Sequence, residues 1–182
     1  SGARPGDFLV MTKSAGIEGT AIIASEKEEE LSRLFGREFV ERAKGLIKNI
    51  SVVREGLIAG RCGATAMHDV TEGGLLGALW EMAEASSVGL EVEKDSIPIE
   101  EETKAICEHY SINPLKLISS GCMLIACKDG MTMVKALEEA GIKSRIIGRV
   151  SKNGKRVLID GKASSEILPP EPDELYKVIR FL

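Results

Sequence analysis

The six residues CMLIAC, Cys122–Cys127, are apolar without interruption. A run this short falls far below the ~18 residues that a membrane-spanning helix needs. It has the make-up of a strand buried inside a sheet. Nothing else in the sequence approaches membrane length, so the rest of the chain must supply the layers that cover this strand. DFLVMT (Asp7–Thr12), CGATAMHD ending at Asp69, and VGLEVEK each read as further strands. SRIIGRVSKNGKRVLIDG reads as a β-hairpin, with Asn153-Gly154 at its turn.

Helical patterns lie between these strands. TAIIAS leads into a stretch in which Leu31, Leu34, Phe35, Phe39, Ala43, Leu46 and Ile47 recur at spacings of three and four, and Gly36 divides it into two helices. Ser51 to Ala59 predicts another helix capped by Ser51, with Val52, Val53, Leu57 and Ile58 as its apolar positions. Glu72 to Ser86 places Leu75, Leu76, Leu79, Met82 and Ala83 on one face. IPIEEETKAICEHY starts extended and turns helical, Asn113-Pro114 opens a short turn, and MTMVKALEEAG is a helix closed by Gly141. PDELYKVIRF predicts a terminal helix. Strands and helices mix without a strict β-α alternation, so the fold class is α+β, a mixed sheet packed with helices.

Composition narrows the function. The 182 residues suit one domain, and 43% hydrophobic with 29% charged residues is the balance of an ordinary globular chain. A net charge of -4 with interspersed signs, together with only 4% aromatics, argues against nucleic acid as a partner. Cys62, Cys107, Cys122 and Cys127 form no Cys-x-x-Cys pair and no zinc-finger spacing, so the expectation is buried free thiols in a reducing cytoplasm and no metal site. Cys122 and Cys127 stand an odd number apart on one strand and should face opposite sides. The chain opens SGARPGDFLV, with no Met and no signal peptide. That predicts the interior of a longer protein, cut at a domain boundary, with Ser1-Gly2 as an appended dipeptide.

The segment AMHDVTEGGLLGALWEMAEAS, Ala66–Ser86, gathers an imidazole, a carboxylate, a hydroxyl and two glycines at one strand-to-helix junction. Asp69 and Glu72 have the spacing of a capping box, and Thr71 is an alternative cap. That reading leaves Gly73 and Gly74 unexplained, since glycine in a first helical turn costs about 1 kcal/mol relative to alanine. Close helix–sheet packing is one reason for them; an anionic ligand at the helix N-terminus is the other. His68 ends a strand beside Asp69, although adjacent strand residues point oppositely. A second junction, TKSAGIEGTAI, follows a strand with Lys13, Ser14, Gly16 and Gly19, without the Gly-Lys-Ser/Thr ending of a P-loop. Ser119–Gly121 reads as a turn, and His109 as a surface residue.

These residues, in order, resemble the aminoimidazole ribonucleotide (AIR) synthetase superfamily, and specifically the C-terminal half of its two-domain enzymes. The likeness covers nearly the whole chain. GARPGDFLVMT, GIEGTAIIASE, ATAMHDVTEGGLLGALWEMAEASSVGLEVE and IPI…YSINPLKLISSGCMLIA resemble the corresponding segments of the hydrogenase maturation branch, and DVT…GLLG also resembles selenophosphate synthetase. The resemblance implies an α+β, partly ferredoxin-like domain spanning residues 1–182, whose partner is its own N-terminal ATP-binding domain. It implies ATP and Mg²⁺ in the intact protein, with neither bound by this domain alone. It also implies a small-molecule or protein-thiol substrate and a possible homodimer. His68 and Asp69 would then serve catalysis, while Thr71, Gly73, Gly74, Lys13, Ser14, Gly16 and Gly19 would approach the cofactor. The hydrogenase maturation proteins end in a Pro-Arg-Ile-Cys tail whose Cys carries the reacting group. This chain ends YKVIRFL with Cys127 as its last cysteine, so that thiol chemistry does not carry over. Two readings stay open: half of an ATP-using enzyme, or a ligand- or partner-binding module of the same fold.

Overall fold

The computed structural model describes residues 2–179. Its described elements run β1 (Phe8–Thr12), α1 (Ile17–Glu26), α2 (Glu28–Phe35), α3 (Arg37–Gly45), a 3-10 turn (Leu46–Asn49), α4 (Val53–Arg61), β2 (Ala64–Val70), α5 (Gly74–Ser86) and β3 (Gly89–Glu93). After these come α6 (Glu101–His109), a 3-10 turn (Pro114–Lys116), β4 (Cys122–Cys127), α7 (Gly130–Glu139), β5 (Ser144–Ser151), β6 (Arg156–Asp160), β7 (Ala163–Glu166) and α8 (Leu175–Val178). The fold is α+β. The strands form one seven-stranded sheet in the order β2-β4-β1-β5-β3-β6-β7. Every pairing is antiparallel except β3 with β6.

The run that opened the argument lies inside the sheet: every residue of β4 is buried, between β2 and β1. Alternate β4 side chains enter different cores. Cys122, Leu124 and Ala126 pack with Leu75, Leu79 and Met82 of α5 on one face. Met123, Ile125 and Cys127 pack with Ala59 of α4 and Met133 and Leu137 of α7 on the other. Cys122 and Cys127 therefore do face opposite sides. A third core joins α1, α2, α3 and α6 through Ile23, Leu31, Val40 and Ile106. Gly36 divides α2 from α3, with φ 87°.

The predicted hairpin does not form. β5 and β6 are not paired with each other; β3 lies between them, with Leu90 opposite Val150 on one side and Arg156 on the other. Leu90 and Val92 are fully buried, and a buried strand must satisfy its backbone groups on both edges. The Asn153-Gly154 turn remains, but it carries the chain across β3. Three helix boundaries also differ. α4 begins at Val53 behind Val52, with no side-chain cap from Ser51. α5 begins at Gly74 rather than Glu72. The terminal helix is the short α8, and the end of the predicted segment lies outside the described residues.

Candidate functional site

Strand direction brings together what the sequence keeps apart. Met11 pairs with Leu124, Val70 with Cys122, and Thr12 with Ser144. The C-terminal ends of β1 and β2 and the N-terminal ends of β4 and β5 therefore share one rim of the sheet. Both glycine-bearing junctions leave from this rim, and the Ser119–Gly121 turn stands between them.

On the β1 side, the loop is held from within. Lys13 adopts a left-handed backbone, φ 55°. Its Nζ donates to the carbonyls of Asn49 (2.8 Å), Ser51 (2.7 Å) and Gly121 (2.9 Å), and lies 2.7 Å from Oε1 of Glu55. Glu55 is only 2% exposed, so the ammonium is the counter-charge that lets a carboxylate sit there. Ser14 Oγ donates to Glu100 Oε1 at 2.6 Å. Gly16 N–H donates to Ser119 Oγ at 2.8 Å, and Gly19, already inside α1, donates to the Ile118 carbonyl. A Cβ on Gly19 would fall 2.4 Å from Leu117 Cγ, so the helix–loop approach demands glycine there. Glu18 Oε2 accepts from Ser120 N at 3.2 Å.

On the β2 side, Asp69 pairs with Met123 inside the strand and cannot cap α5. The capping box is replaced by a left-handed Gly73, φ 82°, with no side-chain cap from its own segment. The N–H of Gly73 instead donates to Asp173 Oδ2 at 2.8 Å, and Glu72 accepts from the Tyr176 hydroxyl. The physical reason is reach. The ladder holds Asp69 one turn too early, while a carboxylate from the C-terminal segment arrives directly over the helix N-terminus, where negative charge is favoured. Asp173 also accepts from Ile118 N and Leu175 N. Burial pushes its carboxyl up, and the three N–H donors oppose that shift. Gly74 answers the packing question: its Cβ would lie 2.6 Å from the Leu115 carbonyl oxygen and 2.8 Å from Leu117 N.

His68 is held on both nitrogens, Nε2 2.9 Å from Glu81 Oε2 and Nδ1 2.6 Å from its neighbour's carbonyl at Asp69. The Asp69 carboxylate is 62% exposed, with Oδ1 3.9 Å from His68 Nδ1. Thr71 is exposed beside it. Among the described residues, no group of three or more His, Cys, Asp or Glu gathers to hold a metal. Asp173, Glu55, Glu18 and Ser119 join the site only through the fold. Asp173 sits in PPEPDELY, where no local pattern points to a helix 100 residues away. Ser119 carried the one available signal, a serine pair before a buried strand.

The fold and this rim define a class: α+β domains that present loop backbone and a few polar side chains at one end of a mixed sheet. The family model described as AIR synthase related protein, C-terminal domain, matches residues 4–161, and the chain belongs to that family. A hydrogenase expression/formation protein of Methanocaldococcus jannaschii is 31% identical over 159 residues, covering 85% of this chain and 45% of the relative. A selenide, water dikinase of Caldanaerobacter subterraneus is 36% identical over 124 residues, covering 67% and 32%. Among solved structures, HypE of E. coli has a TM-score of 0.77 at 21% identity, covering 97% of this chain and 53% of that one. A hydrogenase maturation protein HypE in complex with ATP has a TM-score of 0.72 at 20% identity, covering 98% and 54%. The chain spans about half the length of these relatives or less. Among the described residues, no helix is long and apolar enough to cross a membrane.

Proposed function

We propose that the chain is, over residues 1–182, the C-terminal domain of an ATP-dependent enzyme of the hydrogenase-maturation type. Its rim forms one wall of a phosphate-handling cleft, and an N-terminal ATP-binding domain forms the other. The observation that carries this reading is the exposed Asp69 carboxylate, with His68 Nδ1 3.9 Å away, beside Thr71 at the junction that the family resemblance marks. The ATP complex of a HypE of the same fold supports the cofactor.

In that cleft Asp69 orients the substrate or accepts its proton, and His68, fixed by Glu81, positions the Asp69 backbone. Mg²⁺, which usually takes one or two protein carboxylates together with the phosphates, would be held mostly from the N-terminal half. The metal's chemistry is to neutralise charge on the transferring phosphoryl group. Backbone on the Gly16–Gly19 side keeps the opposite lip close and rigid.

A second reading, a binding module without turnover, has its own support. The Lys13 ammonium and the Gly73 N–H, two donors expected to reach phosphate, are already engaged within the chain. ATP hydrolysis separates the two readings. The isolated chain is expected to show none, and to gain turnover when joined to an AIR synthase-type N-terminal half. Turnover by the 182 residues alone would sink the two-wall account.

A further inference from the structure

The sheet ends at β2 on one side and at β7 on the other, and the two edges are finished differently. β2 is interrupted by a bulge between Ala64 and Ala66. Residue 2 packs against its Thr65 carbonyl, where a Cβ would fall 2.5 Å from the oxygen. β7 carries neither device: its register with β6 is unbroken and all four of its residues are exposed. We propose that β7 is a docking edge for a second copy of this chain, which adds its own β7 antiparallel across Ser164. The proposal is independent of the ATP-cleft reading, because β7 is the strand farthest in the sheet from β2. It goes beyond the homodimer that the family resemblance implies by assigning the surface, the register and the charges.

Backbone direction is the first argument. Antiparallel neighbours exchange hydrogen bonds at alternate residues. The N–H of Ile167 donates to the Arg156 carbonyl at 2.8 Å, so Ile167, Ser165 and Ala163 turn their backbone polar groups toward β6. Ser164 and Glu166 turn theirs toward the free edge. Such a row is a template for another strand unless something blunts it, and β7 holds no proline and no bulge. A two-fold axis at Ser164 sets Ser164 of one copy opposite Ser164 of the other, with both backbones facing the new seam. An axis at Ala163 or Ser165 would oppose residues whose polar groups already point to β6.

Charge is the second argument. With Ser164 at the centre, residue 162 of one copy stands across from residue 166 of the other. These are Lys162 and Glu166, both exposed, and the symmetry makes the opposite-charge pair twice. Within one copy they lie about 13 Å apart along the strand, too far to meet. An axis at Glu166 would instead set Glu166 on Glu166, and one at Lys162 would set Lys162 on Lys162. Like charges directly opposite are destabilising, so the charges select the same register that the backbone does. The seam is only four residues long, so the association is weak and reversible.

The test is sedimentation equilibrium of the full chain over a concentration series, with amide hydrogen exchange followed by NMR on the same samples. The expected result is a reversible monomer–dimer equilibrium in which the Ser164 and Glu166 amides gain protection as concentration rises. Lys162→Glu and Glu166→Lys should each weaken self-association by about tenfold, because each turns two attractive pairs into two repulsive ones. An equimolar mixture of the two variants should associate as well as the wild type, since every pair across the seam is again of opposite sign. The double variant Lys162→Glu/Glu166→Lys should do the same. Both residues are exposed, so thermal midpoints of the dilute chain should stay unchanged. A chain that stays monomeric throughout, a dimer indifferent to either reversal, a mixture no tighter than its components, or protection gained along β2 instead would each overturn the proposal.

Discussion

Asp173 lays its carboxylate on the backbone N–H of Gly73, with Oδ2 2.8 Å from the nitrogen and 100 residues away in sequence. The N-terminus of α5, where negative charge is favoured, thus already holds a carboxylate supplied by the chain itself. The same carboxylate ties down Ile118 and Leu175, so the C-terminal segment, the loop before β4 and α5 meet on one side chain.

Removing that group should be costly. Asp173→Ala leaves buried N–H donors without acceptors, and a loss of about 2–4 kcal/mol is expected in urea unfolding. Asp173→Asn keeps an acceptor and should cost less. Burial, the leading cause, raises the folded-state pKa, so the folded chain holds this proton more tightly than the unfolded chain does. The stability contributed by protonated Asp173 is complete below the ordinary carboxylate value and is lost as pH rises through the raised one. Asp173→Asn should flatten the decline of stability with pH in that window. An unchanged slope would assign the decline elsewhere.

Lys13 is expected to matter first for stability. Lys13→Met strands the Glu55 carboxylate, 2% exposed, without its counter-charge, a loss of about 3–5 kcal/mol. Adding Glu55→Leu removes the stranded charge and should recover a large part of the loss. Strict additivity of the two variants would argue against the pairing.

Gly74→Ala forces a Cβ to 2.6 Å from the Leu115 carbonyl at φ 63° and should destabilise the chain by about 2–4 kcal/mol. Gly45→Ala is the control. It lies at the end of α3 with no atom within 4 Å of its Cβ, and should be neutral or stabilising by up to about 1 kcal/mol. Equal effects at the two sites would contradict the packing explanation for Gly74.

The thiols should divide sharply. Burial pushes Cys107 up to about 12 and Cys127 up to about 11, and raises Cys122 as well. The nucleophile is the thiolate, so in the native chain a thiol reagent at pH 8 should modify only the half-buried Cys62, with all four reacting after denaturation. Rapid native labelling of Cys107 would show that its core opens.

Periodicity made most of the elements legible. The uninterrupted CMLIAC run gave the buried β4, and Gly36 marked the break between α2 and α3. What sequence could not show was decided over long range. The Asn153-Gly154 turn signal is genuine, but nothing near it reveals that β3 will insert between the strands it joins. The Asp69–Glu72 spacing matched a capping box, yet register with β4 kept Asp69 in its strand and left the N-terminus of α5 to Asp173. The site divided in the same way. Residue types and glycines located both junctions, while only strand direction placed them on one rim.

The central claim, that this rim is one wall of an ATP-dependent site, is tested most directly by the kinetics of a two-domain protein. In it, this chain replaces the matching half of the Methanocaldococcus relative, and ATP hydrolysis is compared for wild type and Asp69→Asn. The account predicts turnover in the wild-type chimera and a fall of at least about tenfold in kcat/KM for Asp69→Asn, with the thermal midpoint unchanged. Equal rates, or a wild-type chimera as inert as the chain alone, would contradict it.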